Sequence, residues 1–319
     1  MSQQTAIARQ AAPVRIGLFL LLLVGLWLPL AIPIQLLAWR MNSQQIPLAA
    51  LGVLYIDFLV LLRWWRRRFY RQCKPLYVCG FNNSKAFWRQ MLWAFAIGCG
   101  GVAALFGLML LLGWAVLLPF QGSWMRLIGE GLLTAIAVGF CEEMFFRGWL
   151  LTELQQDYSP ITALIVNSAV FAVAHFIRPL SVILATWPQG VGLFVLGAAL
   201  VWAKRAFPQV VNAQTVAVEP GRPHSISHDS AGHDSVRHGD RHRQHLVGGL
   251  GAPIGLHAGL VWSYYLVNVG NLIGYSAGAK PWIVGIDRNP LAGLLGIVLL
   301  SAIAAYFRGI AIKVRTQKL

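Results

Sequence analysis

Two adjacent glutamates, Glu142 and Glu143, lie in an apolar stretch and are followed by Arg147. An ionisable side chain inside a bilayer costs roughly 2.5–3.5 kcal/mol on insertion scales, so each such residue is a candidate for chemistry. On a helix, Glu143 and Arg147 are one turn apart on the same face and can form an ion pair. Glu142 lies about 100° away around the helix and has no such partner. We therefore predict a structural Glu143–Arg147 ion pair and a reactive carboxylate at Glu142.

A histidine is predicted to lie beside Glu142 if the helices around it form a hairpin. Residues 157–160 read Asp-Tyr-Ser-Pro, which is a turn signal with Pro160 suited to the start of the next helix. Glu142 and His175 are almost equally far from this turn along the chain, so an antiparallel hairpin places them at the same level. Phe171 precedes His175 by one turn and is predicted to pack beneath its ring.

A second histidine, His257, lies between Gly255 and Gly259, whose small size lets neighbouring helices approach closely. A glutamate with two histidines is the composition of a hydrolase that activates water. The glutamate acts as general base, and the histidines hold a metal ion or orient the attacked carbonyl. For either histidine alone, an interhelical hydrogen bond is the competing explanation. The set as a whole predicts one catalytic site of Glu142, His175 and His257.

The composition of the chain indicates that these residues lie in a membrane. Of the 319 residues, 57% are hydrophobic and 12% are charged, with a mean hydropathy of +0.61, whereas soluble domains carry about 25% charged residues. These values exclude a soluble enzyme. A nucleic-acid-binding face is also excluded despite the net charge of +15, because the basic residues form short clusters between apolar runs. We predict an all-α, polytopic membrane protein with about eight transmembrane helices, at residues 16–38, 46–62, 90–119, 127–151, 160–177, 180–203, 250–274 and 290–307.

The distribution of Lys and Arg predicts the orientation and the organisation of the chain. Both termini are expected in the cytoplasm, because this orientation places most basic residues in inner loops. We predict a two-span region with a basic loop at 1–89, the first part of a core at 90–206, a cytoplasmic insertion at 207–249, and two last spans with a basic tail at 250–319. The insertion is polar and is predicted to be disordered, with a metal-gathering loop as the alternative. It carries six histidines: His224, His228, His233, His238, His242 and His245.

The motif Glu142-Glu143-x-x-x-Arg147, then Phe171-x-x-x-His175, and the later His257 together resemble the CPBP family of intramembrane proteases. That family includes type II CAAX prenyl endopeptidases and the bacteriocin-processing or immunity proteins of the Abi family. The resemblance covers roughly residues 90–307. It implies an all-helical core, open to the cytosol, that hydrolyses a peptide bond of a membrane-associated or hydrophobic substrate with a glutamate-activated water.

The resemblance also implies a role for each matching residue. Glu142, His175 and His257 are catalytic, and Glu143, Arg147 and Phe171 support them. The expected partners are the lipid bilayer and the substrate, without nucleic acid. Family members are commonly labelled metalloproteases, which leaves open one zinc ion with His175 and His257 as ligands.

The chain departs from the family pattern at Val261. The family usually has Asn or Asp four residues after the last histidine, as a ligand or an oxyanion donor, and valine can be neither. The oxyanion donor is therefore open among Trp262, Tyr264, Asn167 and a backbone group. Because of this departure, a catalytically impaired, CPBP-like scaffold is an alternative function. The His-rich loop makes a metal transporter another alternative.

Overall fold

The computed structural model describes residues 6–42, 46–211, 245–286 and 289–317. These residues are mostly helical and contain four short strands, which confirms the all-α class. The chain divides into two compact units, Met1–Val78 with Val210–Val247, and Cys79–Gln209 with Gly248–Leu319. The residues predicted as catalytic or supporting all belong to the second unit.

The first unit is built on two long apolar helices. They pack where Phe19 meets the rings of Phe58 and Trp65 edge-on, with centroids 6.1 and 5.6 Å apart. Other apolar side chains, such as Leu21 and Leu36, are exposed on the protein surface, as expected where a helix faces lipid. The helices of this unit are α1 (Ala12–Arg40), α2 (Ile46–Tyr70) and the short α3 (Pro75–Val78).

The second unit contains most of the helices. Its elements begin with α4 (Lys85–Leu111), β1 (Ala115–Leu117), α5 (Trp124–Glu143), a π-helical segment (Met144–Leu150), α6 (Leu151–Asp157), α7 (Pro160–His175), α8 (Leu180–Thr186) and α9 (Pro188–Ala206). The strands β2 (Pro208–Val211) and β3 (His245–Gly248) come next along the chain, and the boundaries between the two units fall within them. The chain continues with α10 (Gly251–Val269), β4 (Ile273–Tyr275), α11 (Pro281–Val284) and α12 (Leu294–Thr316).

The strands form two small sheets. Strands β1 and β4 pair antiparallel, with Ala115 opposite Tyr275 and Leu117 opposite Ile273. Strands β2 and β3 pair with each other and flank the centre of the predicted insertion 207–249. Residues 212–244, with the first five of its histidines, lie outside the described part of the chain, and His245 begins β3.

The predicted count of eight spans is not confirmed. Among the described residues, five helices are long and apolar enough to cross a membrane, and six if α8 and α9 form one span bent by 74°. The helix α7 has 16 residues, fewer than the roughly 20 that a bilayer requires. The helix α10 is long enough, but its glycine, histidine, tyrosine and asparagine residues lower its hydropathy. Each of the eight predicted runs nevertheless contains a helical segment, although 90–119 includes β1 and 250–274 extends into β4.

The hairpin that precedes His175 is present. Helix α6 ends at Asp157 and α7 begins at Pro160. The side chain of Ser159 accepts a hydrogen bond from the Thr162 amide at 3.1 Å and caps the new helix. The chain therefore reverses where the sequence predicts it.

Helices α4 and α10 cross at glycines, which brings His257 into the core of the second unit. A Cβ atom at Gly255 would overlap the carbonyl oxygen of Met91, and one at Gly259 would overlap that of Phe95. Gly98 on α4 faces the backbone of α10 in the same way, against the Leu256 carbonyl. The close approach that the small residues predict is confirmed.

We expect Gly255→Ala to destabilise the protein by about 1–3 kcal/mol, because a methyl group here forces two helix backbones apart. Thermal unfolding in lipid vesicles measures the effect. Gly100→Ala on α4 is the matched control, because a Cβ atom there meets nothing within 4 Å. That control is expected to be neutral or to stabilise the helix by up to about 1 kcal/mol. Equal unfolding temperatures for the two variants would contradict the close crossing.

Candidate active site

The hairpin brings Glu142, near the end of α5, against His175, at the end of α7. Glu142 Oε2 lies 3.0 Å from His175 Nε2. The two residues therefore lie at the same height in the hairpin, as their equal distances from the turn predict. The two side chains are 27% and 29% exposed, and a substrate can therefore reach them. The predicted reactive carboxylate and histidine form an accessible pair.

His175 is held from its other side by Phe171. Its Nδ1 lies 2.8 Å from the Phe171 carbonyl oxygen, and since a carbonyl can only accept, Nδ1 carries the proton in this bond. The Phe171 ring packs against the imidazole with centroids 4.3 Å apart, as predicted. The Nε2 atom of His175 is consequently the one presented to Glu142.

His257 completes the group from α10. Its Nδ1 lies 2.8 Å from Glu143 Oε1, and its Nε2 lies 3.8 Å from Glu142 Oε2. Gly139, one turn before Glu143, contacts the backbone of α10 at Ala258 and permits this approach. Each imidazole therefore directs its Nε2 atom toward the Glu142 carboxylate, while its Nδ1 atom is held by another group.

Glu143 and Arg147 form the predicted ion pair. Arg147 donates to Glu143 Oε1 at 2.9 Å, and both side chains are 0% exposed. The guanidinium also donates to the Gly197 carbonyl at 3.3 Å and lies 4.2 Å from the centroid of the Phe171 ring. The ion pair thus contacts two other members of the site. Glu143 bonds His257, and Arg147 packs on Phe171, which in turn supports His175.

The helix that carries these residues changes from α to π geometry immediately after Glu143. Residues Met144–Leu150 are π-helical and include Arg147. Such segments are rare and occur frequently at functional sites. Sequence reasoning assumed a regular helix here and did not find this change.

Lys204 on α9 is a residue of the site region that sequence reasoning did not single out. Its side chain is buried. Its ammonium group donates to the carbonyl of Arg147, and to that of Cys79 at 3.1 Å. Because an isolated buried ammonium is costly, these carbonyls explain its position, and Lys204 fixes the π-helical segment to the loop that follows α3. No sequence motif marks it.

The segment that contains the hairpin matches a known family. The model described as type II CAAX prenyl endopeptidase Rce1-like matches residues 123–211. The chain is similar to that family over these residues. The resemblance to CPBP proteases is confirmed, and the family indicates a CAAX-type intramembrane endopeptidase in an integral membrane protein. No curated protein and no solved structure matches the chain.

The CAAX protease match includes Glu142, Glu143, Arg147, Phe171 and His175 but ends before His257. The third member of the site therefore depends on the geometry alone. Its hydrogen bond to Glu143 and its position beside Glu142 join α10 to the matched segment.

Two of the side chains predicted as oxyanion donors donate hydrogen bonds elsewhere. The indole of Trp262 donates to the Ile128 carbonyl at 3.2 Å, and the Asn167 amide donates to the Phe146 carbonyl at 2.8 Å. Val261 and Tyr264 line an apolar cavity beside His257. The departure at Val261 therefore places a hydrocarbon surface where CPBP relatives usually have a polar group.

A zinc ion finds no matching ligand set in the described residues. No group of three or more His, Cys, Asp or Glu side chains is arranged there to hold a metal ion. The two Nε2 atoms that zinc would require face the Glu142 carboxylate instead. Zinc binding by His175 and His257 stays a prediction.

Proposed function

We propose that the protein is an intramembrane endopeptidase that hydrolyses a peptide bond of a membrane-associated or hydrophobic substrate. The observation that supports it most strongly is the convergence of His175 Nε2 and His257 Nε2 on Glu142 Oε2, at 3.0 and 3.8 Å. The family match is consistent with this activity, and the mechanism is inferred from the contacts.

In this mechanism Glu142 is the general base. The attacking water gives a proton to the Glu142 carboxylate as its oxygen bonds to the scissile carbonyl carbon. When the tetrahedral intermediate collapses, the C–N bond breaks and the same proton passes to the leaving nitrogen. As an imidazolium, His175 donates from Nδ1 to the Phe171 carbonyl and from Nε2 to Glu142 Oε2, which keeps the carboxylate oriented.

His257 positions the water. Its separation of 3.8 Å from Glu142 Oε2 is too long for a direct hydrogen bond and short enough for one water to bind both atoms. Glu143 accepts the Nδ1 proton of His257, so the Nε2 lone pair is available to that water. Glu143, paired with Arg147 and buried, is the residue that sets the tautomer and takes no direct part in proton transfer.

The test uses the full chain in lipid vesicles with a library of hydrophobic peptides, and mass spectrometry identifies the products. We expect the wild type to cleave and His175→Ala to be about 10²–10⁴-fold slower, because the carboxylate loses its hydrogen-bond partner. We also expect cleavage to persist in a metal chelator, since the proton transfers need only these side chains. Loss of activity in chelator that zinc restores would instead assign His175 and His257 as metal ligands.

The predicted alternatives give different outcomes in this assay. A catalytically impaired scaffold, which the apolar Val261 position favours, would give a folded wild type that cleaves no peptide. The metal-transporter alternative depends on the His-rich loop, which lies almost wholly outside the described residues. Metal uptake into the vesicles without peptide cleavage would support this hypothesis.

A further inference from the structure

Two arginines of neighbouring helices meet at one tryptophan in the second unit. The guanidinium carbon of Arg205, in the last turn of α9, lies 5.1 Å from the centroid of the Trp202 ring. That of Arg308, on α12, lies 5.9 Å from the same ring. Because α9 and α12 pack against each other, the fold holds these two positive charges close together.

No acidic side chain neutralises the two arginines. Within the part of the chain that the structure describes, neither forms an ion pair. Arg205 donates one hydrogen bond to the Pro160 carbonyl at the start of α7, and Arg308 is exposed. A guanidinium has five N–H donors, and its attraction to a ring face needs no hydrogen-bond acceptor. Most of the donors therefore remain for an anion, which would also reduce the repulsion between the two charges.

Both arginines lie just beyond the apolar part of their helix. Arg205 comes shortly after the apolar run 180–203, and Arg308 directly follows the run 290–307. Their contact with a common ring places the ends of the two runs at the same height. Because a membrane-spanning run ends where the hydrocarbon core ends, this is the height of the lipid headgroups.

Aromatic side chains at the same end of the unit indicate the same depth. Trp93 of α4 packs on Tyr306 and Phe307 of α12, with ring centroids 5.9 and 5.7 Å apart. Trp93 and Tyr306 are 36% and 50% exposed. Tryptophan and tyrosine are enriched at the membrane–water interface. Lipid phosphates are therefore the anions nearest to the two guanidinium groups.

We propose that Trp202, Arg205 and Arg308 form a binding site for the phosphate group of an anionic phospholipid. Arginine suits this ligand, because its planar fork of donors matches the oxygens of a phosphate. Basic pockets between transmembrane helices bind anionic headgroups in this way. The site shares no residue with the candidate active site, and it does not depend on the proposed endopeptidase function.

Lipid competition measures the preference of the site. Full-length protein in detergent micelles is given equal amounts of phosphatidylglycerol and phosphatidylcholine with the same acyl chains, and native mass spectrometry counts the lipids that stay bound. We expect the wild type to retain phosphatidylglycerol about 10–30-fold over phosphatidylcholine, because each basic side chain near an anionic group contributes about fivefold. The variant Arg205→Gln/Arg308→Gln is expected to bind the two lipids equally.

Two further variants separate this site from general attraction to a basic surface. Lys313→Gln/Arg315→Gln is the matched control, because it removes two exposed charges from the same helix, α12. It is expected to keep the wild-type preference within about twofold. Trp202→Leu keeps both arginines and removes the ring that holds them, and it is expected to lower the preference about threefold to tenfold.

Three results would overturn the site. The first is a folded Arg205→Gln/Arg308→Gln variant with the wild-type preference. The second is a Lys313→Gln/Arg315→Gln control that loses the preference to the same extent. The third is displacement of phosphatidylglycerol by millimolar inorganic phosphate, which would assign the arginines to a soluble phosphate compound.

The single variant Arg308→Gln keeps the test decisive if the double variant does not fold, because it changes one exposed side chain. Thermal unfolding verifies that it is folded. Its preference for phosphatidylglycerol is expected to be about fivefold lower than that of the wild type, and an unchanged preference would also overturn the site.

Discussion

We expect the Glu142→Gln variant to cleave its peptide substrate about 10²–10⁴-fold more slowly than the wild type, because a general base contributes this much to catalysis. Glutamine has nearly the same shape and can still hydrogen-bond His175 Nε2, which lies 3.0 Å from the carboxylate. It cannot accept the proton of the attacking water. The rate is measured with a fluorogenic peptide at saturating concentration, so that the loss appears in kcat.

Glu130→Gln is the matched control for this substitution. Glu130 lies on the same helix, α5, but its side chain is 52% exposed and pairs with Arg126 at 2.7 Å. It should retain wild-type activity within about twofold, because a surface pair contributes little to stability and lies away from the site. If Glu142→Gln and Glu130→Gln cleave at the same rate, Glu142 is not the base and the proposed mechanism is wrong.

Helix periodicity and hairpin symmetry predict much of the candidate site. The Glu143–Arg147 pair depends only on the i, i+4 spacing, and the Glu142–His175 contact depends only on equal distances from one turn. The first contact lies within one helical segment. The second joins two helical segments that a single short loop connects. Such contacts follow from the sequence once the helices are assigned.

The contact between His257 and Glu143 could not be predicted in this way. These residues are 114 positions apart, and their meeting depends on how α10 packs on α5 and α4. The glycines at 255 and 259 indicate a close crossing but not which helix is crossed or at which level. The ion pair was therefore predicted without the histidine that it supports.

The change to π geometry and the burial of Lys204 were missed for a different reason. A π-helical turn shifts every later side chain around the helix axis relative to a regular helix, and no residue type in Met144–Leu150 signals it. A lysine in the last turn of a helix usually faces solvent or headgroups. Lys204 instead meets two carbonyl groups of other segments, which only the tertiary structure brings within reach.

The number of membrane spans also could not be predicted from the sequence alone. An apolar run such as 160–177 satisfies a hydropathy window, yet α7 ends at His175 after 16 residues. His175 faces Glu142 at the end of α7, and the chain leaves the helix at Phe176. The helix is therefore shorter than a bilayer is thick. The Glu142–His175 contact competes here with the length that membrane crossing requires.

The second large effect is expected for Arg147→Met, which should lower the free energy of unfolding by about 3–5 kcal/mol. The substitution leaves the Glu143 carboxylate 0% exposed without its cation. It also removes the guanidinium that packs on Phe171 and the hydrogen bond to the Gly197 carbonyl. Thermal unfolding and denaturant titration in the same vesicles measure the loss.

Arg126→Met on α5 is the matched control, because the Arg126–Glu130 pair has the same i, i+4 spacing but side chains that are 77% and 52% exposed. Its loss should leave the unfolding temperature close to that of the wild type, because an exposed pair contributes little to stability. The two pairs have the same residue types and spacing in opposite order, so the comparison contrasts a buried pair and its contacts with an exposed pair.

The double variant Glu143→Gln/Arg147→Met separates charge from packing. If the uncompensated carboxylate is the main cause of the loss, removing both charges should recover most of the stability. Because the amide oxygen at position 143 can still accept the His257 Nδ1 proton, kcat should also recover in part. A single Arg147→Met variant as stable as Arg126→Met would show that the buried pair does not hold this site together. A double variant no more stable than the single one would assign the loss to packing on Phe171 and Gly197.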